Sequence, residues 1–241
     1  MTRWLMSAVA SGALLLAAGD AQAQLSINRL WVDFEPGAAP RSDLVIRNDS
    51  EDRYYVTVQP FEITSPGTPA EARVEVADPE QLGLLVTPNR LVLEPGASRS
   101  IRVVSLNENL TRDRVYRVLI TPQVGEVRGR ANAADEQELA IKVLAAYDVL
   151  VVARPGSIDP QLEASRADNQ VVIRNTGNSN VLLFDGRACP PGVESDEGCR
   201  QLPSSRLYPG TDLSIPLNRA DETVVFRERR SLSSQPVVTR F

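Results

Sequence analysis

The most constraining feature of the sequence is a long apolar stretch from residue 138 to residue 155, which reads ELAIKVLAAYDVLVVARP. Side chains in a β-strand alternate between two faces. One set of alternate positions in this stretch is entirely apolar or aromatic, and the other set is mostly apolar. Its β-branched residues and its proline disfavour a helix. The pattern predicts one strand, far longer than the usual length of about 5–6 residues, which lies at the centre of a sheet or at an edge that recruits another strand.

The first residues have the pattern of a signal peptide. Arg3 precedes an apolar run from Trp4 to Gly19, and an A-x-A cleavage site follows at 21–23. A membrane anchor is the alternative, but the run is short for a span of about 20 residues. We therefore expect a signal peptide over residues 1–23 and an exported mature chain without membrane insertion.

Cysteine and histidine usage limits the chemistry of the chain. Cys189 and Cys199 are its only cysteines, and it has no histidine. Two close cysteines in an exported protein predict a disulfide bond. Without histidine and further cysteines, the sequence offers no ligand set for zinc and no Ser-His or Cys-His nucleophile pair. It also has no glycine-rich phosphate-binding loop. We expect no enzyme activity, metal, cofactor or small-molecule substrate, and the net charge of −5 does not suit a nucleic-acid partner.

Two short motifs occur twice in the same order. LVIRN at 44–48 returns as VVIRN at 171–175, and LEPGASRSI at 93–101 returns as LYPGTDLSI at 207–215. Repeats in one order favour tandem domains of one type. Short alternating runs separated by Pro and Gly turns predict β-sandwiches.

The sequence therefore predicts an all-β protein with two tandem immunoglobulin-like β-sandwich domains joined at an elbow. The first domain is expected over residues 24–153 and the second over 154–241, with Arg154 and Pro155 at the elbow. In the first domain the predicted strands cover 25–34, 43–48, 54–63, 84–93, 100–106 and 115–124, and residues 65–79 form a loop.

Together these features resemble the periplasmic pilus-assembly chaperones of the PapD type. The resemblance rests on the export signal, the two sandwiches, the Val-Ile-Arg-Asn and Pro-Gly turns, and an apolar strand that ends in Arg-Pro. It covers the whole mature chain. It implies a periplasmic location, pilus subunits as partners and delivery of those subunits to an outer-membrane usher. In that family the last strand of the first domain is lent to a subunit that lacks a strand.

The resemblance also implies which side chains are lent. Counted back from the Arg-Pro pair, the donated positions are Leu139, Ile141, Val143 and Ala145. These apolar side chains, one at every second position, would fill the groove that the missing strand leaves in the subunit core. The alternative is that Ile141 and Val143 belong to the core of the first sandwich.

The family holds the terminal carboxylate of the subunit with two basic residues in the cleft between the domains. Arg29 takes the place of the first, whereas Leu150 stands where the family has a lysine. Arg154 matches an arginine that braces the two domains, but its usual acidic partner corresponds to Val115. These departures place the chain nearer the archaic or alternative pilus systems.

A second function fits the same sequence. The chain would then be a two-domain secreted Ig-like binding or adhesion protein without a role in assembly. The long apolar strand favours the chaperone, and the missing lysine favours the second function. Neighbouring genes for an usher and small secreted subunits would discriminate between the two.

Overall fold

The computed structural model describes residues 25–125, 143–167, 169–193 and 198–241. Its regular structure is almost entirely β. The first part contains one short helix and ten strands: β1 (Leu25–Ile27), β2 (Trp31–Phe34), β3 (Arg41–Asn48), β4 (Tyr54–Thr64), β5 (Ala72–Val74), α1 (Pro79–Leu82), β6 (Leu84–Thr87), β7 (Arg90–Leu93), β8 (Ser98–Ser105), β9 (Arg114–Val124) and β10 (Tyr147–Ala153). The second part contains eight strands: β11 (Leu162–Ala167), β12 (Gln170–Asn175), β13 (Val181–Cys189), β14 (Arg200–Leu202), β15 (Ser205–Leu207), β16 (Asp212–Pro216), β17 (Thr223–Arg229) and β18 (Val237–Arg240).

These strands form two pairs of sheets, and each pair encloses its own core. In the first pair, the order β1-β3-β8-β6 faces β2-β10-β9-β4-β5, and β7 also pairs with β4. In the second pair, β11-β12-β16 faces β14-β13-β17-β18, and β15 also pairs with β13. Tyr54 and Tyr116 are buried in the first core, and Phe226 is buried in the second. The predicted fold of two tandem sandwiches is confirmed.

The repeated motifs occupy equivalent places in the two sandwiches. Leu44 lies opposite Ile101 in the β3–β8 ladder, and Val171 lies opposite Ile215 in the β12–β16 ladder. The glycines of the two Pro-Gly turns have φ angles of +69° and +83°. Glycine adopts such positive values without steric cost, which explains why both copies of the turn use it.

The asparagine that ends each repeated strand has the same role in both sandwiches. Asn48 is fully buried, and its Nδ2 donates to the main-chain oxygen of Leu93 at 3.0 Å. Asn175 is also fully buried and donates in the same way to Leu207 at 3.0 Å. A buried amide without partners would be costly, so each asparagine fixes the turn that precedes the next strand of its sheet.

Two predicted strands are each divided between the two sheets of the first domain. The run 25–34 forms β1 and β2, which belong to opposite sheets and are separated by a bend at residues 28–30. The run 84–93 forms β6 and β7, separated by Pro88, which has no N–H to donate to a ladder. Strands that switch sheets join the edges of a sandwich. The prediction of a loop over residues 65–79 was wrong in part, because β5 lies within this range and pairs with β4.

The long apolar strand is also shorter than predicted. Its regular part is β10, and residues 143–146 are described but do not belong to a strand. Residues 138–142 lie outside the described ranges. β10 pairs with β9 along its whole length, whereas the parallel partner β2 begins opposite Leu150. From Tyr147 to Val149, no described strand pairs with this second edge of β10.

The predicted disulfide bond is present. The sulfur atoms of Cys189, at the end of β13, and Cys199, just before β14, are 2.05 Å apart. Within the ranges that the structure covers, no helix has both the length and the apolar character needed to cross a membrane.

Candidate functional site

Arg154 is the centre of the contact between the two domains. Its side chain is 0% exposed, and Asp33 and Asp113 both lie within ion-pair distance, at 2.7 and 3.0 Å. Its Nη1 also donates to the main-chain oxygen of Asn180, in the second domain, at 3.1 Å. Val115, which stands where the resemblance places the acidic partner, is buried among apolar side chains. Asp33 and Asp113 supply the acidic partners of Arg154 instead.

Asp113, the residue directly before β9, joins the same network. Its Oδ2 accepts from the main-chain nitrogen of Asn180 at 2.6 Å, while its Oδ1 is buried without a hydrogen-bond partner. Burial raises the pKa of the Asp113 carboxyl above its ordinary value, and the nearby charge of Arg154 only partly opposes this effect. The carboxylate is therefore held between the domains at a cost in desolvation.

A loop of the second domain reaches back to β2. The main-chain nitrogen of Leu232 donates to Oδ2 of Asp33 at 3.0 Å. The main-chain nitrogen of Ser233 donates to Oε1 of Glu35 at 3.1 Å. Together with the Arg154 network, these bonds hold the two sandwiches in one relative position.

Apolar side chains fill the space between the domains beside Arg154. The cluster comprises Ile63, Val115, Leu150 and Val152 from the first domain and Tyr208 from the second, with Trp31 packed against it. Leu150 is only 6% exposed. The position where the family has a lysine is therefore part of the apolar contact between the domains.

A second arginine lies at the margin of this cluster. The guanidinium carbon of Arg206 is 4.0 Å from the centroid of the Trp31 ring, and Nη1 donates to Oδ1 of Asn180 at 2.6 Å. Burial lowers the pKa of Arg206 to about 10. The Nε1 of Trp31 is buried and has no hydrogen-bond partner. Sequence reasoning missed this pair, since nothing in the sequence links residue 31 with residue 206.

Arg117 lies on the same face of the sheet. Leu150 is opposite Trp31 in the β10–β2 ladder and opposite Arg117 in the β10–β9 ladder. Residues opposite each other in a sheet point to the same face. The three side chains therefore form a row across the sheet, on the face that meets the second domain.

No contact between the domains within the described ranges involves Arg29. It is exposed in the bend between β1 and β2, and its Nη1 donates to Oγ of Ser42 at 3.4 Å. Its assignment as a carboxylate anchor stays a prediction.

The described part of the predicted donor segment is exposed. Val143 is 79% exposed and Ala145 is also exposed, whereas Leu144 between them packs against the core of the first domain. Tyr147 packs against that core as well, so the alternation of faces shifts by one residue between positions 144 and 147. Val143 is therefore not a core residue of the first sandwich. The other two predicted donor residues, Leu139 and Ile141, lie outside the described residues.

Two curated fimbrial proteins of Escherichia coli are similar to the chain along most of its length, although no family model matches it. The chain is 28% identical to a CS1 fimbrial subunit over 174 residues, which cover 70% of this chain and 72% of that protein. It is 27% identical to a CFA/I fimbrial subunit over 209 residues, which cover 85% of each chain.

Solved structures with the same fold include fimbrial chaperones. The crystal structure of the class 5 fimbriae chaperone CfaA matches 90% of this chain and 98% of its own, with a TM-score of 0.63 and 23% identity. The complex of the Salmonella enterica SafA pilin with the SafB chaperone matches 92% of this chain and 99% of its own, with a TM-score of 0.59 and 14% identity. The resemblance predicted from the sequence is thus confirmed in the fold: this chain has the two-domain architecture of the PapD-type fimbrial chaperones.

Proposed function

We propose that the chain is a periplasmic chaperone that binds pilus subunits by lending them a strand and delivers them to an outer-membrane usher. The observation that carries this proposal is the exposure of Val143 and Ala145 directly before a free sheet edge. Exposed apolar side chains next to an unpaired strand edge are a hazard in a protein that works alone. They are useful in a protein whose ligand is another strand.

The free edge of β10 defines how a subunit would bind. An incoming strand can pair with the main chain of Tyr147 to Val149, where β2 does not reach. Upstream, the donated side chains are Leu139, Ile141, Val143 and Ala145. Each larger side chain that becomes fully buried in the subunit contributes roughly 1.5–3 kcal/mol. The function is therefore binding rather than catalysis.

The rigid contact between the domains supports this function. Asp33 and Asp113 fix Arg154 at the elbow, so the free edge keeps one position relative to the second domain. A subunit that pairs with β10 would then meet a preformed surface, which lowers the entropy cost of binding. We assign residues 1–23 to a signal peptide, 24–153 to the domain that binds the subunit strand, and 154–241 to the second domain.

The proposal is tested by Val143→Asp and Ile141→Asp, assayed for thermal stability and for co-purification with a pilus subunit encoded beside the gene. An unpaired carboxylate in an apolar groove costs several kcal/mol. We therefore expect capture to fall a thousandfold or more, with little change in the melting temperature of the free chain. Val92→Asp is the matched control, because Val92 is 44% exposed and lies in β7, which β4 and β9 separate from β10.

A large fall in melting temperature, with capture reduced only in proportion, would contradict the donor assignment. Val149→Asp gives the reference for that result, because Val149 is fully buried in the first core. Subunit capture that is unchanged in both donor variants would instead favour the adhesion or binding protein without an assembly role. Absence of usher and subunit genes beside this gene would point the same way.

A further inference from the structure

The outer face of the larger sheet in the second domain is rich in arginine. In the β13–β17 ladder, Phe184 lies opposite Arg227, and each is next in sequence to a residue of the core, Leu183 and Phe226. Neighbouring residues of a strand point to opposite faces, and residues opposite each other in a ladder share a face. The same rule defines an arginine face on the outside of this sheet, which comprises Arg187, Arg227, Arg229 and Arg240.

Charge is segregated on the arginine face. Residues 154–241 hold 11 arginines and 11 acidic residues, so the second domain as a whole has no excess of either sign. Asp185 is exposed and lies 3.5 Å from Arg227. No other acidic side chain of the described strands in this sheet points to the outer face. A positive face on a neutral domain attracts and orients a partner that carries negative charge.

An aromatic ring holds two of these arginines in place. The guanidinium carbons of Arg227 and Arg229 lie 5.4 and 5.5 Å from the centroid of the Phe184 ring, which is within the range of a cation–π contact. The Nε of Arg229 is buried and has no hydrogen-bond partner among the described residues. Val238, opposite Arg227, is 51% exposed. Arginine, aromatic and apolar side chains together are typical of protein interfaces, and this composition favours a protein over a lipid surface as the partner.

We propose that the arginine face is a docking surface for an acidic protein surface, and that its partner is the pilus subunit bound at the free edge of β10. The groups that it contacts are side-chain carboxylates on the body of the subunit. The identity of the partner rests on the proposed function.

The sheet that carries the arginine face meets the first domain at one end. The residue before β13 and the loop after β17 both bind the first domain, through Arg154 and Asp33. Arg229 lies nearest to this contact, and Arg227 lies two residues, about 7 Å, further from it along β17. The arginine face therefore extends outward from the contact between the domains.

Arg206 shows that the arginine face is turned towards the free edge of β10. It points to the same side of the sheet, because Leu182 lies opposite both Arg206 and Arg229. Its guanidinium covers Trp31, where β2 begins beside β10. Two strand spacings, about 10 Å, separate Arg206 from Arg229. A folded domain of about 100 residues has a radius of gyration of about 13 Å, so a subunit that docks on this edge reaches the arginine face.

Exposed charges of this kind affect the rate of association more than the lifetime of a complex. The apolar side chains of the donated strand would then determine the lifetime. The arginine face therefore predicts a subunit that binds faster at low salt, with a lifetime that does not depend on these arginines.

Binding kinetics test this prediction. The pilus subunit encoded beside the gene is diluted from denaturant into the exported chain, at about 10 mM and about 1 M salt, where the Debye length is about 30 Å and about 3 Å. We expect Arg227→Glu with Arg229→Glu to slow association at least about tenfold at low salt, and to leave it unchanged at high salt. The dissociation rate should stay the same. Since Arg229 is half-buried, Arg227→Glu with Arg240→Glu, in which both arginines are exposed, should give the same result.

Arg174→Glu with Arg219→Glu is the matched control. It makes the same change in charge, and both arginines are exposed beside an aspartate, as Arg227 is. Arg174 lies in β12, in the opposite sheet of the second domain. The control should associate like the unaltered chain at both salt concentrations. Equal slowing in the control would show an effect of net charge alone and would overturn the docking surface.

Crosslinking tests the contact itself. Lys142 is the only lysine of the chain, so Arg227→Lys keeps the charge and adds one amine on the arginine face. A carbodiimide joins an amine to a carboxylate that touches it. We expect the purified complex of Arg227→Lys to give a crosslink to an aspartate or glutamate of the subunit, and the complex of Arg174→Lys to give none from its new lysine. An intact complex without the Arg227→Lys crosslink would overturn the proposal.

The outcomes separate this proposal from the proposed function. Normal capture by the unaltered chain, with no change of rate in either variant of the arginine face, would overturn the docking surface and leave the chaperone function in place. No capture by the unaltered chain would overturn the function and the partner together. Unchanged association with the subunit, but loss of binding to phosphatidylglycerol vesicles in Arg227→Glu with Arg229→Glu, would overturn the subunit in favour of a lipid surface.

Discussion

Two arginines lie between the domains, and their surroundings differ. Arg154 is completely buried and touches the carboxylates of Asp33 and Asp113. Arg206 is also largely desolvated, but it lies over the Trp31 ring, and its hydrogen-bond acceptor among the described residues is the amide oxygen of Asn180. Arg154 thus has two carboxylate partners, whereas no ion pair of Arg206 is found within the part of the chain that the structure describes.

The difference predicts unequal contributions of the two arginines to stability. A buried cation with two carboxylates can be removed only by leaving those carboxylates uncompensated. A desolvated cation whose acceptor is a neutral amide leaves no buried anion behind when it is removed. We infer that Arg154 fixes the elbow and that Arg206 contributes less to the stability of the fold. Three predictions test this contrast.

Arg154→Met should have the largest effect. It leaves Asp33 and Asp113 buried without their cation, and removal of one partner of a buried ion pair costs about 3–5 kcal/mol. Urea unfolding of the exported chain measures the loss. Arg227→Met is the control, because its pair with Asp185 is exposed and longer, at 3.5 Å, and such pairs contribute about 0–1 kcal/mol. Equal losses in the two variants would mean that the Arg154 network does not stabilise the elbow.

The pH dependence of Asp113 gives a second test, with a smaller effect. Burial raises the pKa of this carboxyl above the ordinary 3.8, in spite of Arg154. The folded chain then holds the Asp113 proton at pH values where the unfolded chain has lost it, so the stability due to this group falls as the pH rises above about 4. Compared with Asp113→Asn, the unaltered chain should lose free energy of unfolding across this range.

A stability that rises with pH would contradict this prediction. If stability rose with pH relative to Asp113→Asn, Arg154 would outweigh burial and the pKa of Asp113 would be lowered. Thermal melts of both proteins between pH 4 and pH 7 measure the slope. The sign of the slope shows whether burial or the charge of Arg154 has the larger effect on the pKa of Asp113.

The fold could be predicted because its signals are local or repeated. The motifs that end in Asn48 and Asn175 place a buried asparagine at the equivalent position of each sandwich. The short separation of the two cysteines predicted the disulfide bond. The long strand was predicted less well. The sequence alternates apolar residues from Leu144 to Tyr147 without a break. In the structure, however, the positions that face the core change by one residue there, so that both Leu144 and Tyr147 pack against it.

The candidate site was harder to predict because its members are far apart in the chain. Asp33 and Arg154 are 121 residues apart. Neither Asp33 nor Asp113 belongs to one of the repeated motifs. Trp31 and Arg206 come from different domains, so only the packing of one domain on the other brings them together. Sequence reasoning identified Arg154 and the departure at Leu150, but it could not show that Leu150 is covered by Tyr208.

Arg206→Met should have the smallest effect on the free protein. The change removes a largely desolvated cation and leaves no carboxylate unpaired, because the hydrogen-bond partner of Arg206 is the neutral Asn180. Methionine can still pack on the Trp31 ring, and a sulfur–aromatic contact contributes about 0.3–1.5 kcal/mol. We therefore expect the free energy of unfolding in urea to fall by less than about 1 kcal/mol, well below the loss of about 3–5 kcal/mol expected for Arg154→Met. A loss as large as that of Arg154→Met would show that both arginines stabilise the contact between the domains equally and would remove the contrast between them.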